Sequence, residues 1–292
     1  MENATVLRAH PRMPQWRRSV RLTFRNRLVF VGGLLVVALT LVALFAGLVA
    51  PYDPIATNSS VALRSPSVEH PFGTDRFGRD VFSRAIHGSR ISLWVSLASV
   101  AVATTVGTIL GLASGYFGRW TDLLISRVLD ILFSFPGLLL AIGIAAFLGP
   151  GQNNAILAIA IVYSPLIARV VRGSVLAERH KEYVEAARLI GARHGRILRR
   201  HVLPNVLSPI IVQASITLSY AILIEASLSY LGLGTQPPNP SWGTMLSEGR
   251  PFLERAPWMS VFPGMSIMLA VFAFNLLGDG LREMLDPRLR SG

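Results

Sequence analysis

Six stretches of the chain are long and apolar enough to cross a bilayer, and that pattern restricts the fold before any other feature. The clearest runs from Leu28 to Ala50 without a charged residue. The others cover about Ser92–Phe117, Leu123–Leu148, Ala155–Val171, Asn205–Leu231 and Val261–Leu281. A helix needs about 20 apolar residues to cross hydrocarbon. Only helices and closed barrels satisfy every backbone N–H and C=O there. Composition agrees, with 51% hydrophobic and 15% charged residues against about 25% charged in soluble domains. The expected fold class is an all-α integral membrane protein with six transmembrane helices. The first stretch follows a basic run, as a signal peptide would. Its length exceeds the roughly 7–15 residues of a signal-peptide core, and Ala50-Pro51-Tyr52-Asp53-Pro54 offers no convincing cleavage site, so a retained helix is expected.

The formal net charge is +12, and Lys181 is the only lysine among the 28 basic residues. A basic balance can signal nucleic-acid binding, but here its distribution follows the spans. With the N-terminus inside, residues 1–27, about 118–122, 172–204 and the tail from Arg282 face the cytoplasm. With Arg127 and Arg169 assigned to that side, they hold 21 of the 28 basic residues. The outer segments, about 51–91, 149–154 and 232–260, hold the other seven. This satisfies the positive-inside rule. Both termini are expected in the cytoplasm, and no nucleic-acid partner is expected. The implied organisation is a basic segment 1–27, a first helix 28–50, an outer loop 51–91, a five-helix core 92–283 and a tail 284–292. The chain has no cysteine, which excludes disulfides, thiolate metal sites and a cysteine nucleophile.

Within the second span, Gly107, Gly111 and Gly115 share one helix face. Small residues let membrane helices approach closely, either within the subunit or between subunits; packing within the subunit is the favoured expectation. Pro136, Pro165 and Pro209 are expected to bend their spans. In the outer segment, Asp80 is a candidate cap for a short helix Val81–His87, whereas Pro237-Pro238-Asn239-Pro240 is too proline-rich for a helix.

The segment between the fourth and fifth spans, about 173–204, reads Glu182-Tyr-Val-Glu-Ala-Ala-Arg-Leu-Ile-Gly191 and ends on Leu203-Pro204. It predicts a short helix, a break at Gly191 where left-handed backbone suits glycine, a second short helix, and Pro204 opening the next span. Ala186 and Ala187 are expected to form a flat surface for another protein's backbone, with Glu185 as an anchor charge. Held between two spans, the loop forms a lever.

Glu185-Ala186-Ala187, Gly191 and Leu203-Pro204, in this topological place, resemble the coupling loop of ABC importer permeases. The runs His70–Leu93, Glu225–Gly243 and Asn275–Arg288 are similar to the signatures of the dipeptide/oligopeptide permease group, specifically its C-type subunit. His201 departs from the broad importer pattern, which has an aliphatic residue there. The resemblance covers nearly the whole chain. It implies a type I ABC importer permease fold in the bacterial inner membrane and a second homologous permease. It also implies two ABC ATPase subunits, an extracytoplasmic substrate-binding protein and a cargo of short peptides. The same scaffold serves other small solutes, including glutathione and nickel chelates.

The chain is not expected to hydrolyse ATP itself. A P-loop ends Gly-Lys-Ser/Thr, and Lys181 is followed by Glu182 with no glycine-rich run before it. ATP is therefore expected on the partner subunits, with no cofactor, catalytic residue or metal site in this chain. Charged and hydroxyl residues within spans are candidate path residues: Glu225, Ser215 and Ser219. Glu225 is expected to bind a ligand amine or, the favoured reading, to pair with an arginine such as Arg84 or Arg90. Asp130 is expected to pair locally with Arg127. An ATP-independent secondary transporter is the other class that six spans allow.

Overall fold

The computed structural model describes residues 26–285; most of the basic segment 1–27 and the tail from 286 lie outside them. Helices dominate. The apolar stretches become α1 (Arg27–Leu44, continued by the short α2, Ala46–Val49), α3 (Val81–Phe117), α4 (Arg119–Phe133) with α5 (Gly137–Leu148), α6 (Gln152–Glu178), α9 (Leu203–Tyr230) and α11 (Trp258–Leu285). Five helices pass as spans on their own, and α4 and α5 together make the sixth. Three shorter helices complete the set: α7 (Glu182–Leu189), α8 (His194–Ile197) and α10 (Trp242–Gly249).

Two boundaries differ from expectation for identifiable reasons, and the bend expected at Pro136 is a full break. The helix expected over Val81–His87 is the first part of α3, which runs unbroken from Val81 to Phe117. Asp80 does cap it, its Oδ2 accepting from the Ser83 N–H at 2.7 Å. Hydropathy hides this extension because Arg84 and Arg90 interrupt the apolar run, yet both are satisfied by tertiary partners. Arg90 donates to the Ala43 and Leu44 carbonyls at 3.1 and 2.8 Å, acceptors left over at the end of α1. The third stretch is broken at Ser134-Phe135-Pro136, where α4 and α5 meet at 92°, as Pro136 demands. The second short helix expected after Gly191 is not separate: α8 passes through a π turn, Leu198–Val202, directly into α9. Pro204 thus lies inside a continuous helical run, not at a free helix start. The wider π turn is the local adjustment that relieves the clash between a proline ring and the carbonyl four residues back.

The central seam pairs α3 and α6, which run parallel. A Cβ on Gly107 would lie 2.7 Å from the Ser164 carbonyl, one on Gly111 2.6 Å from that of Ala168, and one on Gly115 2.8 Å from Val175 Cβ. The three glycines therefore place two backbones in contact within this subunit, where dispersion replaces the absent hydrophobic drive. The crossing of α1 over α11 uses the same device, with Gly32 against Leu277 and Gly280 against Val29. Outward faces are apolar and bare: Leu34, Leu48, Phe147 and Met268 are all more than half exposed. Lipid is the solvent that tolerates such a surface.

Beyond one end of the bundle, residues 51–80 and α10 form a cap. Trp242 donates its indole N–H to the Ala85 carbonyl at 3.0 Å, and Trp258 donates to that of Thr74 at 3.0 Å. At its centre Arg79 and Arg84 both hold Glu248 Oε2, at 2.7 and 2.9 Å, while Asp75 accepts from Arg79. The other end of the bundle carries α7, α8 and the π turn.

Candidate functional site

At that other end, α7 forms because Glu182 and Glu185 lie in its first turn and Arg188 in its last, charges that complement the helix dipole. It ends in a complete Schellman arrangement. The Gly191 N–H donates to the Arg188 carbonyl at 3.0 Å and the Ala192 N–H to that of Ala187 at 3.1 Å, with Gly191 at φ +76°. A Cβ there meets no neighbour, so glycine is needed for backbone conformation and not for space.

The helix is two-faced. Val184 and Ala187, three residues apart, are buried in one cluster with Val171 and Val175 of α6, Tyr116 of α3, Ile197, Val202 and Val206. Glu185, Ala186, Leu189 and Ile190 face away, with Leu189 88% and Ile190 84% exposed. This corrects the flat surface expected of Ala186 and Ala187: 100° of helical rotation separates adjacent residues, so Ala187 shares Val184's inward face and only Ala186 is presented. The sequence reading missed Leu189 and Ile190. Leu189 carried a signal, since the residues three and four before it, Ala186 and Glu185, both lie on the outward face. Ile190 did not, since Ala187 three residues before it is buried.

Polar ties fix this end to three spans. Tyr183 donates to the buried Glu178 at the end of α6 and accepts from Asn205 Nδ2 of α9 at 3.0 Å. Lys181 Nζ reaches Glu178 Oε2 at 2.6 Å. Tyr116 and His194 meet at 3.0 Å, and Arg179 donates to the Gly115 carbonyl at 3.0 Å. Above them Arg172 forks onto both oxygens of Asp122 at 2.6 and 2.7 Å, with Ser114 and Ser126 completing that carboxylate's shell. Leu203 packs against the apolar cluster, while Pro204 is exposed. The loop end is thus in contact with α3, α6 and α9 at once.

The candidate path residues do not converge. Glu225 is 1% exposed, but neither arginine expected beside it is available. Arg84 is taken by Glu248 and the Pro54 carbonyl, and Arg90 by the end of α1. Glu225 Oε1 instead accepts from Ser229 Oγ at 2.8 Å, with Ser92 of α3 alongside. Ser215 bonds back to the Ile211 carbonyl at 2.9 Å, and Ser219 is buried. A cleft of about 570 Å³ does open between α6, α9 and α11, but Asn205, Ser208, Gln213 and Arg282 supply its polar groups. Asp130 pairs with Arg169 of α6 at 3.2 Å, not with Arg127 of its own helix. Among the described residues no group of three His, Asp or Glu side chains is placed to hold a metal.

Residues 107–291 match the family model described as binding-protein-dependent transport system inner membrane component. Residues 14–66 match the N-terminal TM domain of oligopeptide transport permease C. The dipeptide transport system permease DppC of Alkalihalophilus pseudofirmus is 49% identical over 276 residues, 94% of this chain and 91% of that protein. The di/tripeptide permease DppC of Pseudomonas aeruginosa is 47% identical, covering 89% and 88%. The glutathione permease GsiD of Pectobacterium atrosepticum is 45% identical, covering 94% and 92%. Among solved structures, a chain of the inward-facing MetNI methionine ABC transporter matches with TM-score 0.51 at 25% identity, over 66% of this chain and 94% of that one. The fold is the type I ABC permease fold, and the chain belongs to the family of binding-protein-dependent transport system inner membrane components, multi-pass proteins of the bacterial inner membrane.

Proposed function

We propose that this chain is the permease subunit of an ATP-driven importer of short peptides. A binding protein delivers cargo to the cap end, a second homologous permease completes the pathway, and two separate ATPase subunits bind the ATP. Both termini and the 173–204 loop lie in the cytoplasm. Closure of the ATPase dimer pushes α7, which carries the ends of α3, α6 and α9 with it and switches the cavity from inward-facing to outward-facing.

The observation that carries this reading is the two-faced α7, locked inward by Val184 and Ala187 while it presents Glu185, Ala186, Leu189 and Ile190. Exposed aliphatic residues at the water side of a membrane bundle call for a partner, and Glu185 adds a charge that fixes register. The dipeptide permease relatives support peptide cargo. The glutathione permease relative supports a second reading, the same machine carrying that solute. Ligand-induced melting shifts of the cognate binding protein against peptides, glutathione and metal chelates separate the two.

The mechanism is tested by replacing Glu185 with Arg and Gly191 with Pro in the reconstituted assembly. Proline cannot adopt the left-handed backbone of Gly191. Uptake should be abolished with membrane insertion intact; uptake at the normal rate contradicts coupling through this loop. An ATP-independent transporter would instead work alone in liposomes on an ion gradient.

A further inference from the structure

Two ion pairs join α4 to α6, and they differ in kind. Asp122 is saturated by both arms of Arg172 and by two serines. Asp130 touches Arg169 through one oxygen and one guanidinium nitrogen, 3.2 Å apart, and the two side chains are 58% and 57% exposed. One carboxylate oxygen and most of the guanidinium N–H donors are thus open to a ligand. The Arg169 guanidinium also lies 4.0 Å from the Phe133 ring centroid, beside the 92° break between α4 and α5.

The pair's depth makes its exposure informative. Arg169 lies 17 residues from the start of α6 and nine from its end, about 25 Å and 13 Å along the axis at 1.5 Å per residue. Hydrocarbon about 30 Å thick therefore reaches this level. Ionised side chains at such depth face water-filled cavities or other protein, not lipid. An anionic headgroup is a poor occupant, because Asp130 would repel it.

We propose that Asp130 and Arg169 form a recognition site on the translocation path for the two charged ends of a peptide: Asp130 for the ammonium and Arg169 for the carboxylate, with Phe133 as an apolar floor. In the empty site the two residues satisfy each other. A zwitterion enters by replacing that single contact with two charge-assisted ones, and the broken α4–α5 helix lets Asp130 move off α6. One positive and one negative group side by side match a zwitterion better than a solute of one sign. The proposal rests on the peptide-importer reading above.

The test uses the complete assembly in proteoliposomes, with both permeases and the ATPases, supplied with saturating peptide-loaded binding protein. Asp130→Asn and Arg169→Gln should each lower maximal peptide uptake at least tenfold, while melting temperature and subunit co-purification are retained. The exchanged double variant, Asp130→Arg with Arg169→Asp, restores an ion pair with its polarity reversed relative to the incoming peptide. It should remain at least tenfold down. Recovery of uptake in the exchange would show a purely structural pair and overturn the proposal, as would single variants within twofold of wild type. If the exchange fails to assemble, the near-isosteric Asp130→Asn decides alone. Absence of peptide uptake by the unmodified assembly under ATP would instead defeat the peptide-importer reading itself.

Discussion

The most buried contacts at the two ends of this bundle differ in kind. At the cap end, Asp75, Arg79, Arg84 and Glu248 form a buried charge cluster, with Arg84 only 2% exposed and tied to Pro54, Asp75 and Glu248. At the loop end, α7 is seated on an apolar patch of Val184, Ala187, Ile197 and Val202, a contact without direction or charge. Its polar ties through Lys181 and Tyr183 lie at the exposed edge of that patch. Ion pairs in low dielectric tolerate little displacement, because a separated buried charge has no solvent to return to. Apolar packing keeps most of its energy through small rigid-body shifts that preserve the contact. The difference suits a rigid cap at one end and, at the other, a loop that can shift together with the spans it joins.

The sharpest way to break this comparison is Arg84→Leu at the cap end. It leaves Glu248 and Asp75 with Arg79 alone, and removing one partner of a buried pair costs about 3–5 kcal/mol. Denaturation in mixed micelles should show a loss of that size. A loss below about 1 kcal/mol would mean that water, not Arg84, balances the cluster. At the loop end, Val184→Ala removes two buried methyl groups and should cost about 2 kcal/mol with uptake reduced. An unchanged midpoint would remove α7 from the core. Gly191→Ala keeps the space but forces a Cβ into the left-handed region, which costs about 1 kcal/mol. Gly195→Ala, at a helical position with φ outside that region, gains about 0.5–1 kcal/mol, so the stabilities of the two variants should differ by about 1.5–2 kcal/mol. The smallest effect belongs to Asp130→Asn: a pair more than half exposed contributes about 0–1 kcal/mol, so its stability should barely change.

What the sequence revealed, and what it concealed, follows the same division. The spans were legible because Leu28–Ala50 and its counterparts meet the bilayer's requirement of about 17–25 apolar residues whatever they pack against. Gly191 and the Asp80 cap were legible because each acts on its own backbone. The start of α3 was not, since Arg84 and Arg90 read as the end of a span until Glu248, far along the chain, supplies the missing charge. The setting of Glu225 was hidden for the same reason: its favoured partners were already engaged by residues that no spacing rule links to them. The inward turn of Ala187 was recoverable from Val184, whereas the π turn ahead of Pro204 was not, because its need arises only when α8 and α9 fuse into one helix.

The most direct test of the central claim is co-purification of the ATPase with a Leu189→Asp/Ile190→Asp permease. Both side chains are exposed, so the variant should melt as the wild type does and keep its second permease, yet retain less than a tenth of the ATPase. Full retention of the ATPase by a folded variant would contradict α7 as the docking element.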